Sequence, residues 1–155
     1  MILPKLIHDN GASIDGKGVQ FTRKRLNKHL EDAKREYGSE FYCLTFDFKN
    51  YFGSIPHKVC YDNLNKLFID KKLRDLMIGI IELYQIQENK GDDEIIEKIK
   101  NHEGVGICLG SQISQVLALI VLNDFDHYIK DNLGMKYYIR YMDDGVIFHN
   151  NKDFL

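Results

Sequence analysis

Apolar side chains recur along this chain at spacings that change from helical to extended and back. Positions 19, 26, 30, 33 and 37 fall on one helical stripe, which Gly38 ends. Residues 41–48 alternate in the manner of a strand, with Asp47 at its end on the less apolar side. The first fifty residues therefore predict a helix followed by a strand that delivers a carboxylate.

The middle of the chain predicts further helices. Ser54 and Pro56 are typical of a helix start, as cap and first-turn residue. A second helix is expected from Asp70, since apolar residues then keep the i, i+3, i+4 rhythm. Residues 88–103 are polar and charged, and we expect a surface loop or a loose hairpin there.

The last third predicts one long helix and a hairpin. Residues 112–130 are helical by length, and residues 116–122 are apolar on every face, so this helix should be buried. Two strands then flank residues 143–145, where Asp-Gly is a hairpin turn signal. Arg140, on the first of these strands, is expected at the surface, and pairing with a phosphate is the alternative. The order of elements predicts an α+β fold, an antiparallel sheet with helices packed on one face.

Composition narrows the class of protein. The formal net charge of −2 does not by itself indicate a nucleic-acid binder, but residues 17–28 hold five basic residues and no acidic one. Three cysteines without paired spacing suggest reduced thiols. The longest apolar run, residues 116–122, is too short to cross a bilayer, and residues 1–5 lack the start of a signal peptide. We expect a cytoplasmic protein without a membrane partner.

Candidate chemistry lies in two acidic patches. Asp47 ends one apolar strand, and Asp143 and Asp144 end another. An ionised carboxylate in such surroundings is costly unless a cation meets it. Three of them brought together would suit hard divalent ions, Mg²⁺ above all. Taken alone, an Asp-Asp-Gly turn is more often structural, because Asp side chains hydrogen-bond the local backbone.

Three ordered motifs resemble those of reverse transcriptases. Residues 46–52 (Phe-Asp-Phe-Lys-Asn-Tyr-Phe) look like motif A, residues 106–115 like motif B, and residues 141–144 (Tyr-Met-Asp-Asp) like motif C. Residues 10–18 and the basic helix after them are similar to the fingers-to-palm passage of bacterial retroelement enzymes, namely the retron, group II intron and diversity-generating types. The resemblance covers residues 6–149.

The resemblance implies a polymerase palm, a ferredoxin- or RRM-like sheet, in which residues 1–38 are a partial fingers-to-palm segment and residues 39–155 the palm. It implies two Mg²⁺ ions, which Mn²⁺ can replace, ligated by Asp47, Asp143 and the Phe48 carbonyl, with Asp144 as third carboxylate. The partners implied are an RNA template, a DNA or RNA primer and deoxynucleotides.

Substrate-binding roles are also implied by the resemblance. Phe52 would be the aromatic gate against a ribose 2′-hydroxyl, although a core aromatic is the alternative. Gly110, Ser111 and Gln115 would form the motif B turn and helix start, unless they are an ordinary glycine-rich loop with a capped helix. Tyr141 would lie near the primer end.

The basic run would contact template phosphates without reading sequence, and a solvated helix face is the alternative. Its members are Lys17, Arg23, Lys24, Arg25 and Lys28.

The primary hypothesis is thus an RNA-directed DNA polymerase. The alternatives are an RNA-dependent RNA polymerase or nucleotide cyclase on a related palm, and a non-catalytic nucleic-acid-binding or assembly module. Relatives continue past the hairpin into a thumb, which residues 1–155 lack, and upstream fingers strands are largely missing. We therefore expect these residues alone to be inactive or weakly active, and to self-associate through surfaces that thumb and fingers would cover.

Overall fold

The computed structural model describes residues 6–88, 93–101 and 103–155. The chain divides into two compact units, one of Met1–Phe48 with Leu122–Leu155 and one of Lys49–Val121. The helices are α1 (Val19–Tyr37), α2 (Tyr51–Ser54), α3 (His57–Leu67), α4 (Lys71–Glu88), α5 (Asp93–Lys100), α6 (Gln112–Val121) and α7 (Asn123–His127). A π-helical turn (Tyr128–Asn132) follows α7, and a 3₁₀ turn (Lys152–Phe154) lies near the last residue.

The first unit is built on a three-stranded antiparallel sheet. Its strands are β1 (Tyr42–Phe46), β2 (Tyr137–Tyr141) and β3 (Asp144–His149), in the spatial order β1-β3-β2. Phe46 pairs with Gly145, and Tyr141 pairs with Asp144. The end of β1 and the turn between β2 and β3 therefore meet at one edge of the sheet.

Apolar residues cover both faces of this sheet. On one face, Tyr137 and Phe148 pack with Ala33 of α1. On the other, Tyr138 and Ile147 pack with Ile129 of the π-helical turn, while Phe125 of α7 and Leu44 of β1 lie against that cluster. The α+β class and the antiparallel sheet are confirmed. The helices were expected on one face of the sheet, whereas helical segments lie against both faces. The reason is that side chains alternate between the faces along each strand, and both sets include apolar residues.

The segment before α1 runs beside β2. The Arg140 backbone N–H donates to the Asp9 carbonyl at 3.1 Å, and the Gly11 N–H donates to the Arg140 carbonyl at 3.0 Å. Asn10 thereby forms a parallel bridge with Arg140. This short pairing extends the sheet on the β2 side.

The Asp9 carboxylate fastens that segment from its other side. It lies 2.6 Å from Arg25 Nη2, 2.9 Å from Lys130 Nζ and 3.2 Å from His29 Nε2, and the residue is buried. Burial alone would raise the pKa of Asp9, but contacts with His29, Lys130 and Arg25 outweigh it and hold that pKa well below its usual range. The carboxylate stays ionised at the centre of three basic side chains.

Several boundaries match the sequence expectations. The helix from Val19 ends at Tyr37, and Gly38 follows with φ 82°. Strand β1 lies inside the predicted 41–48 range. Helix α4 begins at Lys71, and the Asp70 carboxylate accepts a hydrogen bond from the Leu73 N–H at 3.2 Å. The local periodicity and capping residues account for these elements.

Three expectations about the helices and their boundaries were wrong. Ser54 does not cap α3: it ends α2, its hydroxyl donates to the Lys49 carbonyl at 3.4 Å, and Pro56 holds the cap position. Residues 88–103 include helix α5 rather than a loop or hairpin, although residues 89–92 and 102 lie outside the described part. The long helix over 112–130 is divided at Leu122 (φ −90°, ψ 4°) and finishes as a π-helical turn.

In the second unit, α3 packs against α4 and α6. The side chains of Cys60 and Leu64 in α3 and Leu117 in α6 are fully buried. Helix α4 leaves Leu73, Leu76 and Leu83 exposed. The expected self-association stays a prediction. No helix among the described residues is long and apolar enough to span a membrane.

Candidate active site

Three carboxylates lie at the edge where β1 ends and β2 turns into β3. Asp47 directly follows β1, Asp143 is in the turn, and Asp144 is the first residue of β3. Asp47 and Asp144 are exposed, and Asp143 is half-buried. The register Phe46–Gly145 places all three at this edge, although about a hundred residues separate them in the sequence.

Their charges influence one another. Partial burial, and then the charges of Asp143 and Asp47, raise the pKa of Asp144 above its ordinary value. The described residues contain no group of three or more His, Cys, Asp or Glu side chains arranged to hold a metal ion. The three carboxylates thus share one edge of the sheet, but the described residues do not form a ready ligand set there.

Aromatic packing holds the backbone that precedes and follows Asp47. The Phe48 ring lies with its centroid 5.4 Å from that of Phe125 and 5.7 Å from that of Phe46, each edge to face. Gly145 allows the Phe46 ring to lie over β3, since a Cβ built there would come 2.1 Å from Phe46 Cζ. The expected Asp-Gly turn is therefore shifted: Gly145 serves close approach, and Met142 makes the turn.

Met142 adopts φ 55°, a left-handed conformation that residues other than glycine seldom take. Its carbonyl accepts a hydrogen bond from Arg140 Nη1. Arg140 is fully buried, so the expectation that it lies at the surface was wrong. It pairs with Asp126 of α7, which is also fully buried. The alternation of β2 could have revealed this, because Arg140 lies on the same face as the core residue Tyr138.

The sequence from residue 5 to residue 155 matches the family model described as reverse transcriptase (RNA-dependent DNA polymerase). The chain belongs to this family. No curated protein matches the chain. The edge of the first unit, where the three carboxylates meet, is accordingly the candidate catalytic edge of a reverse transcriptase domain.

The candidate reverse transcriptase motif A continues into the second unit at Phe52. This residue is half-buried, and its ring centroid lies 5.7 Å from that of Tyr51. The Phe52 carbonyl accepts a hydrogen bond from the Ile107 N–H at 2.9 Å, and the Ile55 carbonyl accepts one from the Gly106 N–H at 2.8 Å. These bonds tie the candidate gate to the segment that begins motif B.

The motif B turn needs glycine for its backbone. Gly110 adopts φ 87°, and a Cβ there would meet no atom within 4 Å, so conformation rather than space requires glycine. The Ser111 carbonyl accepts a bond from the Gln115 N–H at 3.1 Å at the start of α6. Sequence reasoning missed His57, which is buried with Nε2 2.8 Å from the Gly106 carbonyl oxygen. No motif pointed to that histidine.

The basic residues differ in their surroundings. Lys17 Nζ donates to the carbonyls of His8 at 2.6 Å and Asn10 at 3.0 Å. Arg25 is engaged with Asp9, as described above. Lys28 lies 3.3 Å from Asp32 across an exposed helical turn. Arg23 and Lys24 are exposed on α1.

A nucleic-acid role for these five residues stays a prediction. It is best supported for the exposed residues Arg23 and Lys24, because Lys17 and Arg25 have internal partners. Tyr141, the other residue expected near substrate, is half-buried at the end of β2 beside the carboxylates.

Proposed function

We propose that this chain carries the catalytic palm of an RNA-directed DNA polymerase, which adds deoxynucleotides to a primer 3′-hydroxyl with two Mg²⁺ ions. One observation carries the proposal. In a member of the reverse transcriptase family, strand pairing brings Asp47, Asp143 and Asp144 to one edge of the sheet. Charge crowding of this kind at a sheet edge favours a cation.

The residues present fit such ions. Asp47, Asp143 and Asp144 supply carboxylate oxygens and Phe48 supplies a carbonyl, the hard ligands that Mg²⁺ prefers. Ions held by these residues would supply two things: a lower pKa for the primer hydroxyl and neutralisation of charge on the triphosphate. The chain itself supplies the register of β1 on β3, which sets where the carboxylates stand, and the aromatic packing that holds the Asp47 backbone.

The surrounding residues take the substrate roles. Phe52 excludes a ribose 2′-hydroxyl, and its backbone bond to Ile107 couples its position to the motif B segment. Gly110, Ser111 and Gln115 support the template and the incoming nucleotide, and Tyr141 lies near the primer end. The RNA template is held through its phosphates by basic residues of α1.

Primer extension on an RNA template tests the proposal. The full-length protein with deoxynucleotides and Mg²⁺ is expected to extend the primer, and Asp143→Asn is expected to abolish extension because a ligand charge is lost. Asp15→Asn is the matched control, since Asp15 is an exposed carboxylate in the turn before α1 and lies outside the three motifs. It should extend like the wild type.

Two results would contradict the proposal, and a third would change only its assignment of residues. Primer and template binding without extension in the wild type would favour a non-catalytic nucleic-acid-binding module. Extension with ribonucleotides in preference to deoxynucleotides would favour an RNA-dependent RNA polymerase. Equal activity in wild type and Asp143→Asn would remove Asp143 from the site.

A further inference from the structure

A buried ion pair lies directly behind the turn that carries Asp143. Arg140 and Asp126 are both fully buried, with Arg140 Nε donating to Asp126 Oδ1 at 2.7 Å and Nη2 donating to Oδ2 at 2.6 Å. This two-pronged geometry suits guanidinium and carboxylate. Burying both charges is nevertheless costly, and apolar residues of similar volume often stabilise a fold as well or better. Stability alone therefore gives a weak account of the pair.

The remaining arm of the guanidinium reaches the turn itself. Arg140 Nη1 donates to the Met142 carbonyl. That carbonyl belongs to the planar peptide that also contains the Asp143 nitrogen. Met142 is the turn residue with φ 55°. Holding its carbonyl therefore fixes the orientation of the peptide from which the Asp143 side chain starts.

The side chain of Tyr138 helps to orient the Asp126–Arg140 pair. The Tyr138 hydroxyl donates to Asp126 Oδ1 at 2.6 Å. Burial, together with the charge of Asp126, raises the pKa of Tyr138 well above its usual range, so the hydroxyl keeps its proton as donor. Asp126 thus accepts three hydrogen bonds, and the guanidinium has little freedom to leave the turn.

We propose that Asp126 and Arg140 are positioning residues, which hold the Met142–Asp143 peptide in the orientation that the candidate cation site requires. The inference rests on the function proposed above. Asp126 comes from α7 and Arg140 from β2, so the pair connects a helix behind the sheet to the carboxylate edge. Neither residue touches substrate; they act through the backbone of the turn.

The test removes both charges together. The double variant Asp126→Leu with Arg140→Met replaces the pair with apolar side chains and frees the Met142 carbonyl. Mn²⁺ binding, followed by electron paramagnetic resonance on the folded protein, is expected to weaken by about 10- to 100-fold. In single-nucleotide extension by the full-length protein, kcat should fall while KM for the deoxynucleotide stays near the wild-type value.

Tyr137→Phe is the matched control. It removes the hydrogen bond that the neighbouring tyrosine of β2 donates to Glu36, and it leaves the contacts of Arg140 with Asp126 and Met142 in place. It should bind Mn²⁺ like the wild type. Arg140→Lys keeps the buried charge but cannot span both Asp126 oxygens and the Met142 carbonyl, and it should resemble the double variant.

The outcomes separate this inference from the proposed function. If the wild type shows no Mn²⁺ binding that Asp143→Asn removes, the proposed function fails and the inference fails with it. If the wild type binds Mn²⁺ and a folded double variant or Arg140→Lys binds it equally well, with unchanged kcat, only the positioning role is overturned. If neither variant folds while Tyr137→Phe does, the pair serves stability and the inference is also overturned.

Discussion

Asp144 lies where partial burial and two neighbouring carboxylates all disfavour its negative charge. Residues that carry function are often held at some cost to the stability of the fold. Here the cost is the repulsion between neighbouring carboxylates. A divalent cation bound among them would replace that repulsion with attraction. Phe52 has two possible roles, a core aromatic or a gate against the ribose 2′-hydroxyl. It is half-buried beside Tyr51, and its burial alone does not distinguish the two.

Substitution of Phe52 separates those two roles. If the ring is the gate, Phe52→Ala should reduce the preference for deoxynucleotides over ribonucleotides by about 100-fold, because the steric barrier to the 2′-hydroxyl is gone. The measurement is the ratio of kcat/KM for the two nucleotides. Phe52→Tyr keeps the ring and should keep the preference. An unchanged ratio in Phe52→Ala would leave Phe52 a packing residue.

At the scale of elements, charged side chains hold the segment before α1 against its neighbours. Asp9 joins it to Arg25 and His29 of α1 and to Lys130 of the π-helical turn, and its backbone pairs with β2. The ion contacts are buried, so solvent screens them little. The docking of this segment therefore depends on the ionised state of one side chain.

Asp9→Asn should lower the free energy of unfolding by about 3 kcal/mol at neutral pH, because it leaves the buried His29 and the half-buried Arg25 and Lys130 without their carboxylate partner. Since the folded-state pKa of Asp9 is depressed, the stabilisation is fully present above about pH 4, the ordinary Asp value, and is lost as the pH falls through the folded pKa. Urea unfolding of both proteins from pH 7 to pH 2 should show the difference shrinking at the acid end.

Asp62→Asn provides the comparison for Asp9. Its pair with Lys58 has an Nζ–Oδ2 distance of 2.7 Å, but both side chains are mostly exposed, so the expected loss is below about 1 kcal/mol. Equal losses in the two variants would show that the Asp9 cluster behaves as a surface pair. A difference that stays constant down to pH 2 would contradict the assigned charge state.

At the scale of the whole molecule, the formal net charge of −2 conceals an uneven distribution. Lys17 and Arg25 are turned to internal partners, whereas Arg23 and Lys24 stand exposed on the same helix. Binding to a phosphate backbone depends on local positive charge and on release of counterions rather than on net charge. A slightly acidic protein can therefore still bind RNA through one small basic surface.

Replacing Arg23 and Lys24 together with Gln should weaken binding to an RNA–DNA hybrid and flatten its dependence on salt. Each lost phosphate contact reduces the slope of log K against log salt by about 0.9 for a duplex, so the double variant should lose about 2. Fluorescence anisotropy from low to moderate salt measures this slope. Lys71→Gln with Lys72→Gln removes the same charge from α4 and should leave the slope unchanged. Equal changes of slope in the two double variants would indicate that binding depends on the net charge of the protein and not on a basic surface of α1.

Local patterns predicted the elements, while tertiary structure decided how they meet. Helix α1 and the two strands of the hairpin follow from periods that a few neighbouring residues contain, whereas the turn lies at Met142 and Asp143, before the Asp-Gly signal. Helix α5 was missed because its charges suggested a loop, although Asp93 and Glu94 at its start and Lys98 near its end suit the helix dipole.

For the site, the resemblance supplied the acidic residues, and the family match supports that resemblance. The pairing of Asp126 with Arg140 could not be predicted, because it depends on α7 lying behind β2. The phase of Arg140 on its strand was available from sequence, but its partner was not. The break at Leu122, which separates α6 from α7, also has no clear signal in an apolar run.

The contact between Phe46 and Gly145 has a consequence for strand alignment. Because the Phe46 ring occupies the space where any other residue would carry a Cβ, sliding β1 along β3 would place a side chain beneath that ring. One step of such a slide is about 3.4 Å, close to the whole separation that paired ions keep in two-metal sites. The absence of a side chain at Gly145 thus fixes the register of β1 on β3, and this register sets the spacing of Asp47 from Asp143 and Asp144.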